Sequence, residues 1–255
     1  MLEVTPIPVL QDNYTWLLHR AQSDRAIVVD PGEAAPVAKA LEGFGLKLDG
    51  ILITHHHGDH VAGVGELTGN GIPVYGPADS TIPHLTHPVR EGDQIELPAV
   101  QAKFDVLAVP GHTLDHIAYY GEGLLFSGDA LFAGGCGRMF EGTPEQMQGY
   151  LAQLRELPDD TLIYCGHEYT LANLTFAAAV EPDNPAIADR LERVREQRQR
   201  GGITVPSRMA EERATNPFLR WDQGTAADNA AAHTGHALTT PAEVFAALRA
   251  WKDNF

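Results

Sequence analysis

The segment His55-His56-His57-Gly58-Asp59-His60 concentrates metal-ligand chemistry in six consecutive residues. His55 and His57 are two apart, so in extended chain both imidazoles face the same side, while a tight turn at Gly58 swings Asp59 and His60 to a second position. No packing requirement calls for so many imidazoles beside an acid. Three further candidates, in Pro110-Gly111-His112, Ser127-Gly128-Asp129 and Cys165-Gly166-His167, each follow a strand-like run and a glycine. Taken together, His55, His57, Asp59, His60, His112, Asp129 and His167 are too many ligands for one tetrahedral zinc and suit two divalent ions sharing a bridging carboxylate, for which Asp129 is the candidate. The set offers imidazole and carboxylate without thiolate, so zinc is the first expectation and iron or manganese are admissible. Such ions lower the pKa of bound water to about 7, which makes a metal-bridging hydroxide available as nucleophile. The chemistry implied is metal-assisted hydrolysis. The remaining histidines carry no such pattern: His56 alternates away from its neighbours, His19, His84, His87, His233 and His236 stand alone, and His116 at most buttresses a ligand.

These side chains require strands that end beside one another. Val4 to Leu10, Tyr14 to His19 and Ala26 to Asp30 read as successive strands, the last closed by Pro31-Gly32. Ala34 to Phe44 has helical spacing, Gly50 to Thr54 is a buried apolar strand feeding the histidine loop, and Val61 to Leu67 reads as a short helix. A strand around Pro73 to Tyr75 precedes a turn-rich connection holding His84 and His87. Asp93 to Leu97, Phe104 to Val109, Ile117 to Tyr120 and Leu124 to Phe126 form a second strand set, and two packed sheets follow from the pattern. A helix over Pro144 to Leu157 leads to the strand Thr161 to Tyr164. Beyond it, Tyr169 to Val180, Pro185 to Arg200 and Pro241 to Lys252 read as helices, so a boundary falls near Thr170. The stretch from Ala226 to Ala232 fits a loop or one more short helix.

Composition narrows the function classes. The 255 residues carry 44% hydrophobic and 20% charged residues, as ordinary globular proteins do. No apolar run approaches the ~20 residues that cross a bilayer, and the N-terminus lacks the basic start and apolar stretch of a secretory signal. A cytoplasmic protein with no membrane partner is expected. A net charge of -16 argues against a nucleic-acid partner. Cys136 and Cys165 are too few for a disulfide framework and read as small core residues in a reducing compartment.

The ligands His55 to His60, His112, Asp129 and His167, in this order, resemble the signature of the metallo-β-lactamase superfamily. That resemblance implies an α/β fold, an αββα four-layer sandwich with a C-terminal helical domain: a catalytic domain over residues 1–169 and a helical substrate-binding domain over 170–255. Gly134-Gly135-Cys136-Gly137-Arg138, Cys165-Gly166-His167-Glu168-Tyr169-Thr170, Asn216-Pro217-Phe218-Leu219-Arg220 and Arg249-Ala250-Trp251-Lys252-Asp253 further resemble the glyoxalase II family along the whole chain. By resemblance, His55, His57 and His112 hold one ion, Asp59, His60 and His167 the other, and Asp129 both, with Asp59 and Asp129 taking part in catalysis. The implied reaction is hydrolysis of S-D-lactoylglutathione to D-lactate and glutathione by a monomer. Arg138, Tyr169, Arg249 and Lys252 are the implied substrate contacts, the cations answering the two carboxylates of glutathione despite the acidic whole. Phe140 departs from the family pattern, standing where some members place a tyrosine whose hydroxyl contacts glutathione; the bidentate grip of Arg138, where many members carry lysine, offers partial compensation.

Two rival classes share the metal loop. A lactonase or β-lactamase on the same core lacks a reason for the helical tail with Arg249 and Lys252. An iron-dependent persulfide dioxygenase uses one ion and consumes oxygen, so the metal count separates it from a dinuclear hydrolase. A binding module without catalysis would show no activity drawn from water.

Overall fold

The computed structural model describes residues 2–69 and 71–255. Two compact units account for them, one comprising Met1–Ala108 with Asp115–Gly128, the other Val109–Leu114 with Asp129–Phe255.

The first unit begins with an antiparallel hairpin of β1 (Leu2–Val9) and β2 (Asn13–Arg20), in which Leu2 faces Arg20 and Val9 faces Asn13. Strand β3 (Arg25–Val29) continues the antiparallel order. The helix α1 (Ala34–Phe44) then carries the chain to β4 (Lys47–Leu52), which pairs parallel to β3. Two short helices, α2 (Gly58–Val61) and α3 (Val64–Thr68), lead to β5 (Val74–Pro77) and β6 (His87–Val89), both parallel additions to a six-stranded sheet in sequence order. Val37 and Leu41, four apart on α1, bury into the core formed by Val28, Ile51 and Ile53. A second, antiparallel set follows in β7 (Gln94–Leu97), β8 (Ala102–Ala108), β9 (Ile117–Gly121) and β10 (Leu124–Gly128). Buried Tyr119 ties this set to the first sheet, its hydroxyl donating to the Ile53 carbonyl at 2.7 Å.

The second unit contains a small hairpin of β11 (Leu131–Phe132) and β12 (Gly135–Cys136), followed by α4 (Pro144–Arg155). The start of α4 is fixed by a reciprocal cap between Thr143 and Gln146 with proline at the first turn. Strand β13 (Leu162–Cys165) pairs antiparallel with β14 (Ser207–Arg208), and between them run α5 (Thr170–Val180) and α6 (Pro185–Gln199). The helices α7 (Met209–Thr215), α8 (Gly224–Thr234) and α9 (Pro241–Asp253) complete the unit, α9 starting on the same kind of cap from Thr240 and Glu243. In its core Phe176 stacks on Phe218 at a ring separation of 6.0 Å, and Phe218 meets Phe245 edge-on at 5.7 Å. No helix among the described residues is long and apolar enough to cross a membrane.

Three local details differ from the sequence expectation or resolve it. The connection around His87 contains β6, an edge strand whose outer position tolerates Pro88. The helix expected over Val61 to Leu67 divides at Gly63, whose amide bonds the Pro31 carbonyl at 2.9 Å and where a Cβ would lie 2.6 Å from that oxygen. The open choice at Ala226 to Ala232 resolves to helix α8.

Candidate metal centre

Among the described residues, His55, His57, Asp59, His60, His112, Asp129 and His167 fall into groups of histidine and aspartate that could hold a metal ion. The first unit supplies four of them. Strand β4 delivers His55 at its C-terminal end, and the turn into α2 presents the rest. The ring of His55 stands 4.7 Å from that of His57 and 4.2 Å from that of His60, and the ligand atoms within each pair lie within 4.8 Å. His60 Nε2 approaches Asp59 Oδ2 at 3.5 Å.

Their orientation comes from residues that sequence spacing did not single out. Buried Asp30 accepts from the Thr54 amide at 2.8 Å, the Thr54 hydroxyl at 2.7 Å and His60 Nδ1 at 3.1 Å. Because the Thr54 hydroxyl donates to Asp30, its lone pair accepts from His55 Nδ1 at 3.0 Å. Both rings therefore keep Nε2 as the atom offered to a metal. Asn13 donates its side-chain amide to Asp59 Oδ2 at 2.8 Å. Buried His116 lies flat against His55 with rings 4.5 Å apart, and donates Nδ1–H to the Ile117 carbonyl at 3.0 Å. Gly128 leaves the room Thr54 needs: at its φ of +49° a Cβ would sit 2.4 Å from the threonine hydroxyl oxygen. The only sequence signal for Asp30 was its place before Pro31-Gly32 at a strand end.

The second unit supplies the other three candidates, His112, Asp129 and His167. Asp129 Oδ2 lies 3.4 Å from His112 Nε2 and 3.2 Å from His167 Nε2, all three side chains being buried. His112 donates Nδ1–H to the Arg138 carbonyl at 2.8 Å, which turns Nε2 toward the carboxylate. The ring of His167 stacks on Tyr169 at 4.7 Å and meets the edge of Phe132 at 5.8 Å. Gly137 packs against the Asp129 carbonyl, where a Cβ would intrude to 2.0 Å.

These separations fit metal ligation. Two nitrogen or oxygen atoms each about 2.1 Å from a tetrahedral ion stand about 3.4 Å apart. The observed distances of 3.2, 3.4 and 3.5 Å cluster there. They exceed the 2.7–2.9 Å typical of a charge-assisted hydrogen bond. The donor set therefore fits divalent ions.

The residues expected to meet the substrate lie in the second unit. Arg249 is buried on α9, with Nη1 donating to the Cys136 carbonyl at 3.0 Å, Nη2 to Asp253 Oδ1 at 3.0 Å, and its guanidinium over the Phe218 ring. Lys252 donates to the Ala172 carbonyl at 3.3 Å and sits over Phe176. Burial, then the charges of Arg249 and Arg138, hold its ammonium below its ordinary pKa. Arg138 is largely exposed, with Nε 3.7 Å from Asp253 Oδ1. Phe140 is exposed and its ring stands 5.2 Å from that of His112.

Residues 9–167 match the metallo-β-lactamase superfamily model, and residues 168–255 match the model of the hydroxyacylglutathione hydrolase C-terminus. The chain is 56% identical to hydroxyacylglutathione hydrolase of Alkalilimnicola ehrlichii, covering 99% of both chains, and 51% identical to that of Pseudomonas fluorescens, covering 100% of both. Among solved structures, ETHE1 from Myxococcus xanthus is similar with a TM-score of 0.66 and 26% identity, covering 99% of this chain and 98% of that one. The BLEG-1 B3 metallo-β-lactamase, at 21% identity and a TM-score of 0.64, covers 86% of this chain and 99% of its own, and shares the fold. The protein thus carries the metallo-β-lactamase fold followed by a helical C-terminal region, and the chain belongs to the hydroxyacylglutathione hydrolase family.

Proposed function

We propose that the protein hydrolyses S-D-lactoylglutathione to D-lactate and glutathione, the second step of methylglyoxal detoxification. The observation that carries this reading is a cluster of histidines and aspartates able to hold metal in a chain 56% identical, over 99% of both lengths, to a hydroxyacylglutathione hydrolase. His55, His57 and His112 would hold one divalent ion and Asp59, His60 and His167 a second, with Asp129 shared; zinc is the first choice and iron or manganese the alternatives. When bound, such a pair supplies hydroxide at neutral pH and polarises the thioester carbonyl.

The chain's own residues do the rest. Asp30, through Thr54 and directly, keeps the protons of His55 and His60 on Nδ1. The Arg138 carbonyl does the same for His112. Water gives up a proton to solvent as its oxygen bonds to the acyl carbon, and the carbon–sulfur bond breaks with its electron pair leaving on sulfur. An ordinary thiol has a pKa of about 8.5 to 9, so a thiolate departs without a strong general acid, and none is required of this site. Arg138, Lys252 and Arg249 supply the positive region for the glutathione carboxylates, and Tyr169, stacked on His167, lines the approach.

In this reading residues 1–169 form the catalytic domain and 170–255 the helical substrate-binding domain of a cytoplasmic monomer; two buried cysteines, too few for a disulfide framework, suit a reducing compartment. The test is thioester hydrolysis by metal-replete enzyme, run beside a lactone and a β-lactam, with metal counted per chain. Preference for S-D-lactoylglutathione with two ions per chain is expected. Preference for either ring substrate, or one iron with oxygen uptake, would overturn the reading.

A further inference from the structure

Asp253 closes α9, and a carboxylate in the last turn of a helix faces the negative end of the helix dipole. Its position is therefore unfavourable for the helix itself. What it faces instead is a cluster of cations: Oδ1 lies 3.0 Å from Arg249 Nη2 and 3.7 Å from Arg138 Nε. Arg249 is fixed independently by the Cys136 carbonyl and the Phe218 ring. Arg138 is not confined in this way; its side chain is 66% exposed and Asp253 is its ion-pair partner. Lys252 precedes Asp253 in sequence, and its ammonium feels the repulsion of both arginines. Three cations this close would drive the mobile one outward unless an anion sat among them.

We propose that Asp253 is a positioning residue for substrate: it draws the exposed Arg138 guanidinium toward the anchored Arg249 so that, with Lys252, they present one focused cationic surface to the carboxylates of the thiol carrier. The inference rests on the glutathione thioester reading. Three cations against one carboxylate leave a net positive charge, which complements a carrier whose two carboxylates outnumber its single ammonium. A thioester of a neutral thiol, such as N-acetylcysteamine, presents no carboxylate to this surface and is indifferent to it.

The test is Asp253→Asn, with the wild type, on S-D-lactoylglutathione and on the lactoyl thioester of N-acetylcysteamine, together with thermal unfolding. An exposed ion pair sets the scale, so KM for the glutathione thioester rises about threefold to fivefold while kcat holds. The neutral-carrier thioester shows unchanged kcat/KM, and the unfolding temperature falls slightly: Asn still accepts from Arg249 and the helix end loses an unfavourable charge, but the buried guanidinium loses its charged partner. In a double-mutant cycle, Asp253→Asn adds little to the KM of Arg138→Gln. An unchanged KM, a lower KM, an equal loss on both thioesters, or full additivity with Arg138→Gln would each overturn the positioning role. Failure of the wild type to hydrolyse the glutathione thioester at all would instead remove the reading beneath it.

Discussion

His60 donates its Nδ1 proton to the Asp30 carboxylate at 3.1 Å, and the same carboxylate reaches His55 through the Thr54 hydroxyl. One buried acid therefore sets the tautomer of two candidate metal ligands. Asp30 holds this post at a φ of +51°, a left-handed conformation that Asn also adopts readily. Asp30→Asn thus tests the hydrogen bond with little backbone strain: the amide nitrogen it presents to His60 would donate, forcing the imidazole proton onto Nε2. Metal affinity is expected to fall about 10- to 100-fold, the usual cost of losing such a partner. Competition titration against a chelator measures it, and wild-type affinity in this variant would show that Asp30 merely fills space.

Asp129→Ala removes the oxygen that lies 3.4 Å from His112 Nε2 and 3.2 Å from His167 Nε2. The expectation is loss of one or both ions and at least about a hundredfold in rate, since the shared ligand fixes the ion pair. Elemental analysis beside the thioester assay decides it. Two ions and full activity would refute the shared role.

The histidine loop was legible because its ligands sit within six residues, where spacing alone fixes which side each faces. Asp30, Thr54 and Asn13 were not, because a single acid, hydroxyl or amide becomes informative only when folding brings it against a ligand from another strand. The helices were read from apolar periodicity, and the capping residues Thr143 and Thr240 mark two starts clearly. The same periodicity leaves Arg249 among the polar positions. In the fold it shares the buried side of α9 with Phe245 and Leu248, since its guanidinium finds a carbonyl, a carboxylate and an aromatic face there. Strand β6 escaped because three residues, one of them proline, carry no alternation to detect.

Replacing Lys252 or Arg249 with alanine should raise KM for glutathione thioesters with a smaller effect on kcat, the pattern of lost uniform binding. The two differ in stability. Lys252 is half-buried and its ammonium is already held below its ordinary pKa, mainly by burial, so Lys252→Ala should be close to neutral in denaturation. Arg249 is buried, and its loss leaves the Cys136 carbonyl and Asp253 without their donor, costing about 3 kcal/mol. Paired denaturation and kinetics check both, and an unchanged KM in both variants would return the pair to a purely structural role.

Alkaline stability follows from the thiols. Burial pushes the Cys136 thiol up to about 11 and the Cys165 thiol up to about 12, from an ordinary value of 9.0. The native state thus holds these protons after the unfolded chain has released them. Their contribution is fully present below pH 9.0 and is lost as pH climbs toward 11 to 12. Each thiol steepens the decline by up to about 1.4 kcal/mol per pH unit in that window. Buried Tyr119 and Tyr150, also raised by burial, act in the same direction. Urea denaturation at stepped alkaline pH should show a shallower decline in Cys165→Ala than in the wild type; parallel curves would contradict the assignment.

Glu212 is fully buried and hydrogen-bonded on both oxygens. One accepts from Arg190 at 2.6 Å; the other accepts from the Gly134 amide at 2.8 Å and the Asn216 amide at 3.0 Å. Asn216 in turn donates to the carbonyls of Phe132 and Gly135, so the carboxylate braces the β11–β12 hairpin that begins two residues beyond Asp129. Glu212→Leu strands the buried Arg190 charge and should cost about 3–5 kcal/mol in urea denaturation. Pairing it with Arg190→Met removes that charge as well, which in a simple ion pair restores most of the loss. Here the Gly134 and Asn216 donors still lack their acceptor, so recovery should stop about 1–3 kcal/mol short of the wild type. Full recovery in the double variant would mean that the ion pair alone, and not the brace on the hairpin, accounts for the stabilisation by Glu212.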